Sequence, residues 1–176
     1  YVGGATRPGD RDALWHFSRD ILPRLRNLVG VSTLEPITWV GDASERDRRR
    51  YGEMGIDLTG YAEDIRPLIR PAACFIAPVR SPEAARFKVA LAWAMGRAVV
   101  STSVGCQGLA AVDGENLLIR DDPDSFARAV ADVLEDRALR GRLGRAGRET
   151  VEARYGWSTI GPSLLRRYQA LELERT

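Results

Sequence analysis

The stretch that decides the fold is APVRSPEAARFKVALAWAMGRAVVST, residues 77–102. It starts at the end of an apolar run, crosses a polar turn, continues as a helical pattern over about 84–95, and ends in a β-branched run at 98–102. Gly96 closes the helical pattern, at the place where glycine commonly terminates a helix. A buried strand, a helix and a second buried strand in this order predict a parallel β-α-β unit.

The same alternation continues on both sides of this stretch. Further apolar runs predict strands at 1–4, 36–41, 56–60, 73–79 and 116–119. Amphipathic patterns lie between and after them; Asp10 opens the first helix, and Pro23 should kink or divide it. We expect Trp39, Trp93 and Trp157 in the core or at its edge. We therefore predict an α/β fold, a doubly wound and mainly parallel sheet of about six strands with helices on both faces, of the Rossmann-like class. Ligands of such sheets bind outside the carboxyl ends of the strands.

Composition restricts the class of protein. The 176 residues, 44% hydrophobic and 28% charged, suit one globular domain. The 26 basic and 24 acidic residues give a net charge of +2, which argues against a nucleic-acid-binding protein. We found no membrane-spanning run and no signal peptide, and two cysteines suit a reducing compartment, so we expect a cytoplasmic location. Because a strand-like segment starts at Tyr1, we expect a domain cut from a longer polypeptide.

Few residues could carry hydrolytic or metal chemistry. His16 is the only histidine and lies in the first helical pattern between two aromatic residues, where a packed or surface role is favoured. Without a second histidine we expect no metal site, and nothing in the spacing places His16 next to Cys74 to activate its thiol. The loop after the first strand lacks the G-x-G-x-x-G spacing, which argues against an NAD site, and we expect no cofactor.

The best candidate for a ligand site is the start of the helix near residues 84–88. Free N–H groups at a helix N-terminus attract anions, and Arg80, Arg86 and Lys88 add positive charge nearby. Glu83 could accept hydrogen bonds from ligand hydroxyls, or it could be an ordinary acid of the first helical turn. The loop at Gly3 and Gly4 could let a ligand approach the backbone with Arg7 facing a phosphate, or it could be a tight turn.

Six segments, in order, resemble the C-terminal, donor-binding domain of GT-B glycosyltransferases of the group 1 type. They are YVGGATRPGDRDALWHFSRDILPRL, ITWVGDA, IDLTGYAEDIRPLIRPAACFIAPVR, KVALAWAMGRAVVSTSVGCQGL, DGENLLIRDDPDSFARAVADVL and YGW. The resemblance implies one nucleotide-sugar-binding domain over 1–176, with a C-terminal helix at 156–176 that packs back toward an N-terminal domain. That N-terminal domain would bind the acceptor, and this chain lacks it.

The implied activity is retaining transfer of a hexose from a nucleotide diphosphate sugar, without a metal ion, in carbohydrate biosynthesis. The nucleotide sugar and the N-terminal domain of the same polypeptide are the expected partners, and nucleic acid is not. The resemblance also implies a cytoplasmic protein, either free or peripheral to the inner face of the membrane, with any membrane contact made through the absent part.

The resemblance assigns roles to particular residues. Glu83 becomes the catalytic residue that holds the hydroxyls of the donor sugar, the diphosphate lies near 84–88, and the nucleobase lies near 60–65. The donor-binding residues it implies are Gly3, Gly4, Arg7, Gly60, Tyr61, Ile65, Arg80, Ala84, Ala85, Arg86, Lys88 and Leu91.

Two positions depart from the family pattern. Leu91 stands where the family has a second glutamate for the ribose, a loss of about 1.5–3 kcal/mol of binding. Asp10 stands where a basic residue is common, which leaves Arg7 as the nearest substitute. These departures keep a second hypothesis open, a non-catalytic, degenerate GT-B-like binding or docking domain.

Overall fold

The computed structural model of the protein describes residues 1–29, 34, 37–82 and 86–173. Strands and helices alternate through these residues up to β4; β5 follows without an intervening helix, and three helices follow it. The strands are β1 (Ile37–Val40), β2 (Ile56–Gly60), β3 (Phe75–Ala77), β4 (Val99–Ser101) and β5 (Leu118–Ile119). The helices are α1 (Pro8–His16), α2 (Leu22–Val29), α3 (Glu45–Gly52), α4 (Arg66–Ile69), α5 (Arg86–Ala94), α6 (Pro123–Glu135), α7 (Arg137–Tyr155) and α8 (Trp157–Leu173).

All strand pairs are parallel, which confirms the predicted α/β class. β1 pairs with β2, and β4 lies between β3 and β5. The first predicted strand, 1–4, is reduced to a bridge in which Val2 pairs in parallel with Val40. The described residues therefore hold five strands and this bridge instead of six full strands. Gly3 has φ of 141°, which interrupts regular strand geometry after Val2, although the backbone N–H groups of Gly3 and Ala5 still donate to residues 40–42.

The predicted division of the first helix is also present. A π-helical segment, Phe17–Ile21, separates α1 from α2, and Pro23 lies in the first turn of α2. Proline has no N–H to donate to the carbonyl four residues earlier, so the regular α-helical ladder cannot run through it. The wider π turn accommodates the missing hydrogen bond, so the helical segment continues from α1 into α2.

One apolar core holds the layers together. Trp39, Trp93, Phe17 and Phe126 are almost completely buried, as the sequence predicted for the first two. Trp39 comes from β1, whereas Trp93 and Phe126 come from α5 and α6. The core therefore joins the sheet to helices that lie far apart in the chain.

The loop before β5 is fixed by one buried amide. The Asn116 side chain accepts a hydrogen bond from the Val112 N–H at 2.9 Å and donates to the Ala110 carbonyl at 2.9 Å. It also donates to the Thr150 hydroxyl of α7 at 3.1 Å. These three bonds attach the loop to α7.

The C-terminal helix α8 differs from the rest of the fold. Trp157, predicted to be a core or core-edge residue, is 79% exposed, so that prediction is wrong. Leu164, Leu165, Tyr168 and Leu171 are exposed on the same helix. An amphipathic pattern predicts an apolar face but does not say whether anything covers it, which explains the error. No helix in the described part of the chain is long and apolar enough to cross a membrane.

Candidate ligand-binding cleft

A cleft of about 860 Å³ opens where the parallel strands end. Its walls come from four segments: the loop at Val2 with the first turn of α1, residues 40–42 at the end of β1, the turn after β2, and Pro82 with the first turn of α5. Each segment follows the carboxyl end of a strand or of the Val2 bridge. This is the edge at which open α/β sheets bind ligands, as the sequence predicted.

Close backbone contact fixes the loop at Gly3 and Gly4. The Gly3 N–H donates to the Val40 carbonyl at 2.7 Å, and the Ala5 N–H donates to the Asp42 carbonyl at 2.7 Å. Gly41, with φ of 141°, lies so close to Gly4 that a Cβ on either residue would overlap the backbone of the other segment. Both predicted loop glycines line the cleft. Glycine is needed here because the two backbone segments pack against each other with no side chain between them.

A cluster of three polar side chains lies beside this loop. The Asp10 Oδ1 atom accepts a hydrogen bond from the Tyr1 hydroxyl at 2.6 Å and another from the Lys88 ammonium. Lys88 also donates to the Tyr1 hydroxyl at 2.8 Å. Burial lowers the pKa of Lys88, and Asp10 opposes that shift. Burial and Asp10 together raise the pKa of the Tyr1 phenol. Lys88 therefore lines the cleft as predicted, but paired with a carboxylate.

The first turn of α1 gives the cleft a second positive feature. Residues 6–10 line it, and Arg7 is exposed at the position just before the helix. No carboxylate in the described residues forms an ion pair with Arg7. A helix N-terminus carries partial positive charge and free N–H groups, so this end of the cleft favours an anion.

Another part of the cleft wall is apolar and aromatic. Tyr61 and Phe87 are 79% and 78% exposed, and both line the cleft with Ile65. Gly60 lies behind this rim, buried, with the Arg48 guanidinium against its Cα. Tyr61 and Ile65 are thus brought to the cleft, whereas Gly60 supports the turn from outside it. Such a surface suits a flat ring.

Two predicted donor residues lie away from the cleft. Arg80 forms a bidentate pair with Asp12 of α1, at 3.0 and 2.5 Å, and lies over the Trp15 ring. The hydrogen bonds to Asp12 raise the pKa of Arg80. Leu91 packs, half-buried, against the core and does not line the cleft.

The remaining predicted site residues are Arg86, in α5, and three residues that precede it in the sequence. Glu83, Ala84 and Ala85 lie outside the described residues, so their predicted roles stay predictions. Arg86 is the first described residue of α5.

Three residues that line the cleft were not predicted from the sequence as site residues. Asp42 follows β1, Phe87 precedes Lys88, and Asp10 contributes its carboxylate to the cluster. The position of Asp42 after a strand is a signal that could have been used. Nothing local marks the pairing of Asp10 with Lys88, because 78 residues separate them.

The thiols and the histidine are placed as the sequence suggested. His16 is buried and its Nδ1 atom lies 2.8 Å from the Asp20 carboxylate, outside the cleft. Burial raises the pKa of the Cys74 thiol to about 12 and also raises that of Cys106. Neither thiol is suited to act as a nucleophile at neutral pH. The described residues contain no cluster of three or more metal-ligating His, Cys, Asp or Glu side chains.

Comparison with known proteins gives consistent matches. The family model described as "Glycosyl transferases group 1" matches residues 1–136. A curated relative is the lipopolysaccharide core biosynthesis glycosyltransferase LpsE of Rhizobium meliloti (strain 1021). It is 33% identical over 135 residues, which are 72% of this chain and 39% of LpsE. This chain therefore spans about two fifths of that relative.

Two solved structures share the fold. A mutant of S. aureus TarM, in complex with Fondaparinux, alpha-GlcNAc-glycerol and UDP, has a TM-score of 0.74 and 15% identity; the match covers 94% of this chain and 34% of TarM. The C-terminal domain of the group 1 family glycosyl transferase LpcC from Francisella tularensis has a TM-score of 0.63 and 20% identity, over 88% of this chain and 84% of that domain. The predicted resemblance to such a C-terminal domain is confirmed.

Proposed function

Because the chain belongs to the group 1 glycosyl transferases, we propose that its cleft binds a nucleotide diphosphate sugar and supports transfer of the sugar to an acceptor. In this proposal the transfer is of a hexose, with retention of configuration, and an N-terminal domain of the same polypeptide holds the acceptor. The exposed apolar face of α8 would pack toward that domain. The free thiols of Cys74 and Cys106 are consistent with a reducing compartment, so we propose a cytoplasmic location.

One observation carries this proposal. The wall of the cleft combines an anion-favouring part, made by Arg7 and the first turn of α1, with an aromatic part that includes Tyr61. A nucleoside diphosphate carries the two matching groups, a diphosphate and a flat base. Helix N-terminal N–H groups and nearby cations stabilise a leaving phosphate, the charge that develops when a glycosyl bond to a diphosphate breaks.

The similar proteins support the same ligand class. TarM was solved with UDP, and its fold agrees with this chain over 94% of the residues. LpsE acts in lipopolysaccharide core biosynthesis and aligns over most of the same segment. A nucleotide diphosphate sugar therefore fits the cleft better than a dinucleotide.

A second candidate function follows from Leu91. This side chain packs against the core, and a leucine cannot accept hydrogen bonds from a ribose. If the loss of that contact has removed donor binding, the domain is a non-catalytic GT-B-like binding or docking module. Leu91→Glu tests this alternative: tighter UDP binding by the folded variant supports an eroded donor site, and unchanged affinity shows that position 91 does not face a ribose.

The main test is titration of the 176-residue chain with UDP and GDP, followed by tryptophan fluorescence or melting temperature. We expect binding at millimolar or lower concentration, weakened about 10- to 100-fold in Lys88→Ala, because a charged hydrogen bond contributes about 1.5–3 kcal/mol. Arg128→Ala is the matched control, since it removes one positive charge from α6, outside the cleft. If no nucleotide diphosphate shifts either signal, or if both variants weaken binding equally, this proposal is refuted.

A further inference from the structure

We propose that Asp10 is a positioning residue of the donor site, whose buried carboxylate fixes the Lys88 ammonium beside the Gly3–Gly4 loop, where a donor phosphate would meet it. This inference rests on the proposed function, since it requires that the cleft binds a phosphate. It goes beyond that proposal because it assigns a role to Asp10, an acidic residue in a part of the cleft wall that otherwise favours anions.

The geometry of the cluster holds the ammonium at three points. Lys88 donates to Asp10 Oδ1 and to the Tyr1 hydroxyl, and its Nζ atom lies 4.6 Å from the centroid of the Tyr1 ring. The Tyr1 hydroxyl in turn donates to the same Asp10 oxygen, which closes the cluster. A lysine side chain has four rotatable bonds and loses substantial entropy when it is ordered. Because the cluster orders it before the ligand arrives, binding is relieved of that cost.

Burial makes the carboxylate necessary. The side chains of Lys88 and Asp10 are 14% and 6% exposed. An ammonium ion buried without a partner is destabilised enough that it releases its proton instead. The carboxylate compensates for this, because an opposite charge in contact favours the ionised form of the amine. Asp10 therefore preserves the charge that would contact a phosphate.

The Gly3–Gly4 loop lies directly on this cluster. A Cβ on Gly3 would overlap both the Asp10 carboxylate and the Lys88 ammonium. The ammonium is thus packed against the loop backbone, and Gly3, Asp10 and Lys88 all line the cleft. A phosphate bound at the loop would be within reach of the cation that Asp10 holds.

A neighbouring positive charge opposes the protonation of Lys88. Arg7, across the loop, lowers the pKa of Lys88. Burial lowers the pKa of the Tyr1 amino group, which donates to the Thr38 carbonyl at 3.1 Å, to about 5, so this group is neutral between pH 7.5 and 9 and adds no charge to the cluster. Asp10 is the acidic group that counters Arg7 and the effect of burial.

The test uses the fact that Lys88 is the only lysine in the 176 residues. The chain is produced with lysine labelled with carbon-13 at Cε, and the pH titration of that signal is followed by NMR. Loss of the signal in Lys88→Arg confirms its assignment. UDP affinity is measured in parallel between pH 7.5 and 9. Asp10→Asn is the test variant, and Asp12→Asn is its matched control, because Asp12 lies on the same helix but pairs with Arg80.

We expect Asp10→Asn to lower the midpoint of the Lys88 titration by about one pH unit or more. Its UDP affinity should then fall more steeply between pH 7.5 and 9 than that of the wild type. Asp12→Asn should leave both properties unchanged. If Asp10→Asn does not fold, Tyr1→Phe replaces it; this change removes one acceptor from the ammonium and should shift the midpoint in the same direction by a smaller amount.

The outcomes separate this inference from the proposed function. If the wild type binds UDP and Asp10→Asn behaves like Asp12→Asn in both measurements, Asp10 does not position Lys88, and the proposed function stands. If the wild type binds neither UDP nor GDP while Asp10→Asn still moves the Lys88 midpoint, the donor-binding function is overturned, and with it the role of Asp10 in a donor site.

Discussion

Gly41→Ala should destabilise the protein at the cleft more than the addition of a single methyl group suggests. Gly41 has φ of 141°, a backbone conformation that residues other than glycine rarely adopt. Forcing alanine into this conformation costs about 1–3 kcal/mol. The new Cβ would also overlap the Gly4 backbone, and overpacking of this kind costs about 1–3 kcal/mol. The sum, about 2–6 kcal/mol, is a large part of the stability of an ordinary domain.

The strain can be relieved only by moving the Gly3–Gly4 loop away from β1, so UDP binding should weaken as well. Urea unfolding followed by tryptophan fluorescence measures the change in stability. Gly52→Ala is the control, because Gly52 lies in α3 with nothing within 4 Å of an added Cβ. This change should be neutral or stabilise the protein by up to about 1 kcal/mol. If Gly41→Ala is within about 0.5 kcal/mol of the wild type, the close approach of the two loops does not constrain the fold.

Three other perturbations have defined outcomes. Asn116→Ala should lower the free energy of unfolding by about 1–3 kcal/mol in urea titrations, because it removes the hydrogen bonds that the buried Asn116 amide makes to the part-buried Val112 N–H and Ala110 carbonyl. Cys74 and Cys106 should react slowly with a thiol reagent at about pH 8 in the native protein and rapidly in denaturant, since burial raises the pKa of both thiols. The pKa of Asp122, which caps α6, is lowered below the ordinary value of 3.8 by hydrogen bonds from Ser125, so its contribution to stability is present above that value and lost as the pH falls below it. The urea midpoint of Asp122→Asn should therefore change less with pH in this acidic range than that of the wild type.

The fold could be predicted from the sequence because its signals are local. The run IDLTG was predicted as a strand over 56–60, and β2 has these bounds. Pro23 marked the division between α1 and α2 for a reason contained in the residue itself, its missing N–H. Strand lengths were less predictable: 73–79 was predicted, but only Phe75–Ala77 pairs with a neighbour, because apolar residues continue past the end of the hydrogen-bonded ladder.

The candidate site could be predicted only in part, because charge pairing acts between residues distant in sequence. The position of the Gly loop, Tyr61 and Lys88 at one edge follows from parallel topology, and the cleft contains all of them. The partners of the cations do not follow from topology. Asp12 pairs with Arg80 across 68 residues, and Asp10 with Lys88 across 78, and no local pattern indicates either pair.

Under the proposed function, these ion pairs affect which residues of the cleft bind the donor. With Arg80 bound to Asp12 and Lys88 bound to Asp10, Arg7 is the cation in the described cleft wall that no carboxylate neutralises. Exposed cations act weakly in water and are screened by salt, so Arg7 and the α1 N-terminus orient the diphosphate more than they retain it. Stacking of a base on an aromatic side chain contributes about 1–3 kcal/mol and is independent of charge. Tyr61 and Phe87 therefore add to the contact made by Lys88 a contribution that does not depend on charge, and a nucleoside diphosphate should bind better than inorganic diphosphate, which has no ring to stack.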